Sequence, residues 1–155
     1  MRPRIQRRPR QLGGAAVEFA FVFPFLFFLM YGVLVYSYLF VLQESINFAA
    51  QEAAEAAVKV DESGANADTL RVRFARETAA QVLSWLPEDQ RERVLGNGNE
   101  RVEVSFGSAP DPQSDTVIVQ LHFDLVGLFP VITLYFVGEV PPMPNRLSAR
   151  AVARV

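Results

Sequence analysis

Residues 19–42 read FAFVFPFLFFLMYGVLVYSYLFVL, 24 positions without a formal charge. As a helix rising 1.5 Å per residue this run is about 36 Å long, more than the roughly 30 Å of a hydrocarbon core, so it predicts a transmembrane helix. Pro24 loosens or kinks its first turns, and Tyr31, Tyr36 and Tyr38 gather toward its far end, where interfacial aromatics belong. Beyond Leu42 the period stays helical. Ile46, Ala50, Ala53, Ala57 and Val60 recur at spacings of four and three, a narrow stripe of mostly small side chains, with Glu55 and Lys59 as an i, i+4 pair on the opposite side. A membrane part at 14–42 and a stem at 43–60 therefore join into one helix of about 70 Å. The plainer alternative is an ordinary membrane helix with a short extension.

The rest of the chain changes period. Residues 61–68, DESGANAD, are polar and read as a linker, with Asp68 capping a second helix over about 69–86. Its inward face is expected to be Leu70, Phe74, Thr78, Val82 and Trp85, with Arg73 and Glu77 on the other side and Pro87 as its stop. The run PEDQRER at 87–93 reads as a solvated connection and Gly96, Asn97, Gly98 and Asn99 as a turn. Strand-like alternation follows: Val102, Val104, Phe106; then Val117, Val119, Leu121, Phe123; then Leu147, Ala149, Ala151, Ala153, Val155. The expected fold is α+β: a long N-terminal transmembrane and stem helix packed against a second helix and a small antiparallel sheet of about three strands, whose apolar face covers the alanine stripe. Residues 61–155 form the head, leaning on the stem for its core.

Residues 125–137, LVGLFPVITLYFV, are uncharged but too short and too broken by Pro130 to cross a bilayer. Two expectations stand side by side. One is a buried loop with a short strand or helix. The other is a hydrophobic contact surface made by Leu128, Phe129, Val131, Ile132, Leu134, Tyr135 and Phe136, touching the outer leaflet or a neighbouring subunit. PPMPN at 141–145 is a stiff link into the last strand.

Composition narrows the function. Half of the 155 residues are hydrophobic and none is Cys, so there is no disulfide framework, Cys-based zinc site or thiol chemistry. Arg2, Arg4, Arg7, Arg8 and Arg10 give residues 1–13 a charge of +5; with a net charge of −2 for the whole chain, residues 14–155 hold −7. A short arginine cluster directly before an apolar run fixes membrane orientation, N-terminus inside and head outside, rather than tracking a phosphate backbone; no nucleic-acid partner is expected. A cleaved secretory signal fits less well, because its apolar core would span only about 7–15 residues. His122 stands alone on the outer face of a strand, and Asp111, Ser114 and Asp115, with Asn97 and Asn99, lack the EF-hand spacing. No catalytic residue, metal site, cofactor or small-molecule substrate is expected, and the chain is read as a non-enzyme.

Glu18 follows Gly13, Gly14, Ala15, Ala16 and Val17 at the start of the apolar helix. A carboxylate deep in lipid costs on the order of 3 kcal/mol. It requires a partner, protonation, or a shallow position near the positive end of the helix dipole. The string GGAAVEFAFVFP, behind its arginine-rich leader and ahead of NFAAQEAAEAA at 47–57, resembles the TadE-like family of pseudopilins of the tight-adherence (Tad, Flp) pilus system, most specifically over residues 12–60. The departures are Glu55, where a basic residue often stands, and the 13-residue leader. The resemblance implies that a prepilin peptidase of the bacterial cytoplasmic membrane cuts between Gly13 and Gly14, and that Glu18 and Phe19 then serve pairing with the new N-terminus and assembly. It also implies membrane lipid, other pseudopilins and Tad inner-membrane assembly proteins as partners. The competing expectation is an uncleaved anchor presenting an interaction domain.

Overall fold

The structure is a computed structural model that describes residues 12–60, 66–107, 116–130, 132–135 and 138–154. Helix α1, Leu12–Val58, runs 47 residues without interruption and carries Pro24 inside it. Proline there leaves the Ala20 carbonyl without its helical N–H donor, a loss transmembrane helices tolerate. The most apolar 18-residue stretch of α1 is only 6% buried by protein. Its Phe and Leu side chains instead face outward, Phe21 at 80% exposure among them. A core helix of a water-soluble protein would be covered there; this one is long, apolar and bare, as a membrane anchor is.

The upper part of α1 is the backbone of the head. Ile46, Ala49, Ala50, Ala53, Ala54 and Ala57 are all buried. Val60 lies beyond the helix end, and Lys59 outside it donates its backbone N–H to the Glu55 carbonyl. No ion pair joins the exposed Glu55 and Lys59 side chains among the described residues; such a pair gains little in water.

Helix α2, Ala67–Val82, packs along this stripe and continues through a 3-10 turn, Leu83–Trp85, to Pro87. Its buried face is Arg71, Ala75, Ala79 and then Leu83, one position away from the expected one; Leu70, Phe74 and Trp85 are 40–50% exposed. The reason is the partner surface. Alanine facing alanine lets two helix backbones approach closely, whereas Phe74 or Leu70 in the seam would hold them apart. Arg73 and Glu77 do lie outside, joined at 2.8 Å, and the carboxylate raises the pKa of the guanidinium.

Residues 87–93 are not a solvated connection: they open helix α3, Glu88–Leu95, with Glu88 and Asp89 in its first turn, Arg93 in its last, and Val94 and Leu95 buried. These charges complement the helix dipole. Gly96 ends it at φ +73°, where a Cβ would also meet the Arg101 side chain at 2.8 Å. Asn97–Asn99 form the expected turn as one 3-10 turn.

Strands β1 (Glu103–Phe106), β2 (Thr116–Asp124) and β5 (Arg146–Arg154) make an antiparallel sheet in the order β1-β2-β5. Register sets Val119 between Val104 and Ala151, and Phe123 opposite Leu147. Val117, Val119, Leu121 and Phe123 are fully buried against α1 with Leu147, Ala149 and Ala151. Val102 is buried just before β1, but Phe106 is 38% exposed, because β1 is the sheet edge farther from the helix. A separate hairpin joins β3 (Ile132–Leu134) to β4 (Gly138–Val140), with Gly138 at φ +86° closing its turn.

Among the described residues, Phe123 is the largest fully buried side chain. Phe123→Ala is expected to lower the denaturant stability of the full chain in detergent by about 3–5 kcal/mol, while Val126→Ala, 69% exposed, moves it by less than about 0.5 kcal/mol. Similar midpoints for both variants would mean that the sheet does not form the core.

Candidate functional site

The site predicted from sequence is linear and lies at the base of α1. Gly13, Gly14, Glu18 and Phe19 fall within its first two turns and all are exposed. Among the described residues, and apart from its own stretch of helix, no atom lies within 4 Å of a Cβ built at Gly13 or Gly14. Among the described residues, no side chain pairs with Glu18. Phe19 stacks on Phe23, with ring centroids 5.3 Å apart, and Phe23 continues to Phe27 at 6.3 Å, so one face of the helix base carries an aromatic ladder. The five leader arginines lie outside the described residues.

A second cluster forms where the head meets α1. Core contact reaches down the helix to Leu39 and Val35, 6% and 4% exposed, and hydrogen bonding reaches lower still. The Tyr31 hydroxyl donates to the Pro130 carbonyl at 2.6 Å, Tyr36 donates to the Pro142 carbonyl at 2.6 Å, and Tyr38 donates to Gln90 Oε1 at 2.8 Å. Phe129 meets the Tyr38 ring edge to face at 5.6 Å. Thus the three tyrosines that sequence places in an aromatic belt also clasp the head, which packs on α1 as far down as Tyr31.

The predicted contact surface divides. Leu128 and Phe129 are half-buried against the core, while Tyr135 is 94% exposed at the β3–β4 turn. Ile132 and Leu134 belong to β3. Val131 and Phe136 lie outside the described residues, as do Asp111, Ser114 and Asp115. Val126, within residues 125–137 but not among the side chains named for that surface, is 69% exposed.

On the outer face of the sheet, Arg93, Arg101, His122, Asp124 and Arg146 border an open cleft. Its arginines are engaged: Arg146 with Asp124 at 3.0 Å, Arg93 with the Val126 carbonyl at 2.7 Å, Arg101 with the Arg93 carbonyl at 2.9 Å. No group of three or more metal-ligating side chains occurs among the described residues.

Compared with known proteins, a model of the TadE-like protein family matches residues 13–55. No curated protein and no solved structure gives a match.

Proposed function

This chain belongs, through residues 13–55, to the TadE-like family, and from that premise we propose that it is a pseudopilin, a single-pass membrane subunit in the assembly of Tad-type surface pili or a related secretion apparatus, processed by a prepilin peptidase after Gly13. Its long apolar helix suits a membrane anchor in a Tad pilus-related protein. The observation that carries the finer reading is GGAAVEF placed in the bare first turns of an unbroken 47-residue helix. Among the described residues nothing packs on the Gly13–Gly14 bond, and the helix behind it is a ready-made stem.

The physical sequence of events follows from charge. While the leader is attached, its five arginines hold the helix base at the cytoplasmic headgroups, at about 1 kcal/mol each near an anionic surface. Cleavage removes them and leaves an amine on Gly14, about 6 Å along the axis from Glu18. Within one chain or between neighbours, amine and carboxylate then neutralise each other, so the segment can leave lipid for a packed bundle of like helices. Contacts of that kind are head-to-tail and extend into filaments. The subunit resides in the bacterial cytoplasmic membrane with its head outside, and its partners are the peptidase, other pseudopilins and Tad inner-membrane assembly proteins. No catalytic role is assigned to it.

Intact-mass analysis of the protein from its native host tests this. In the presence of prepilin peptidase the chain is expected to start at Gly14, and in its absence at Met1. A chain that starts at Met1 in both, yet supports pilus assembly, would establish the uncleaved anchor instead.

A further inference from the structure

We propose that the head is not held clear of the bilayer but is seated in its extracytoplasmic leaflet, with Val126 and the β3–β4 hairpin forming an interfacial foot. The proposal rests on α1 being the membrane anchor, and its occupant is lipid.

Helix length makes the case first. Tyr31 holds the Pro130 carbonyl, and from Gly13 to Tyr31 α1 rises only about 27 Å, against roughly 30 Å of hydrocarbon. With Gly13 at the inner boundary, the chain around Pro130 lies about 3 Å inside the outer boundary, next to the headgroups. The hairpin leaves and rejoins the head at this level, since Tyr36, little more than one turn higher, holds the Pro142 carbonyl.

The chemistry matches that depth. Residues 125–137 carry no charge, the hairpin's single acid being Glu139 of β4, opposite Thr133, and Val126 at 69% and Tyr135 at 94% are exposed large side chains there. At the foot of the sheet stands the exposed Asp124–Arg146 pair, and Arg93 donates to the Val126 carbonyl. Apolar tip, aromatic and guanidinium in this order are the profile of a segment lying at headgroup level, where tyrosine and arginine are favoured. Through the Tyr31–Pro130 bond the foot adjoins α1, whose apolar side chains below Tyr31 are exposed.

The test uses the full chain in vesicles of phosphatidylethanolamine and phosphatidylglycerol at low protein content. In a Trp85→Phe background, a single tryptophan is placed by Tyr135→Trp, by Val126→Trp as an independent probe, and by Leu26→Trp as a deep reference. Both foot probes are expected to be quenched more by lipids spin-labelled near the headgroup than by lipids labelled near the chain end, with protection from aqueous iodide; the Leu26→Trp probe shows the reverse depth order. If the reference is quenched by deep label while both foot probes respond only to iodide, the foot is overturned and the anchor stands. Protection that grows with protein-to-lipid ratio without lipid quenching would assign the surface to a second copy and overturn the lipid assignment. If the reference is not quenched, the anchor fails, and the foot with it.

Discussion

A Gly13→Val variant is expected to retain residues 1–13 entirely, running at full-length mass in a host whose peptidase shortens the native chain. The structure separates this outcome from misfolding. Among the described residues, a Cβ at position 13 meets no atom within 4 Å beyond its own stretch of helix, and the hydrogen bonds from α1 to the head begin at Tyr31. Valine also accepts extended backbone more readily than glycine, so a failed cut would report side-chain bulk in the peptidase cleft and not an inability to unwind. The companion Gly14→Ala, equally free of neighbours, adds one methyl on the other side of the bond and is expected to be processed. With the leader retained, five arginines keep the helix base in the inner headgroup layer, and pilus assembly should be lost with cleavage. Loss of 13 residues from Gly13→Val, measured by intact mass, would remove Gly13 from the processing site.

How far these features were legible depended on what set each one. Helix α1 was legible because lipid and core both demand apolar residues at regular spacing, and its alanine stripe announced a close neighbour. The central strand was legible for a similar reason: Val117, Val119, Leu121 and Phe123 alternate strictly because one face is buried against α1. The inward face of α2 was not. Hydrophobicity favoured Leu70, Phe74 and Trp85, but the alanines of α1 selected Ala75 and Ala79, and only the partner surface decides between large and small. Helix α3 was hidden because a helix with a single buried edge at Val94 and Leu95 shows no period; its acidic first turn and Gly96 terminator were the signals present. The clasp of Tyr31 and Tyr36 on proline carbonyls was invisible in principle, since each contact joins residues about a hundred positions apart. At the base of α1 the motif stood in plain view, and the structure adds that no side chain pairs with Glu18 among the described residues.

That missing partner underlies the second large effect. Glu18→Gln should be cut normally, because the substitution lies more than one turn beyond the Gly13–Gly14 bond and removes a charge whose immersion costs on the order of 3 kcal/mol. Membrane insertion becomes easier, not harder. Assembly should nevertheless fail. An amide accepts a hydrogen bond from the Gly14 amine but returns no charge, so each added subunit would bring an uncompensated cation into the bundle. Removing one member of a close, dehydrated charge pair costs about 2 kcal/mol or more, which exceeds tenfold in the equilibrium for each addition, and a filament multiplies that penalty along its length. Glu18→Asp keeps the charge on a shorter arm and should recover part of the assembly, whereas a role in packing alone would make Glu18→Gln, the closer match in shape, the better tolerated of the two. Quantifying mature-length protein in the membrane against that in sheared surface fibres distinguishes the cases. Glu18→Gln chains reaching the fibre at native abundance would show that the carboxylate does not guide assembly.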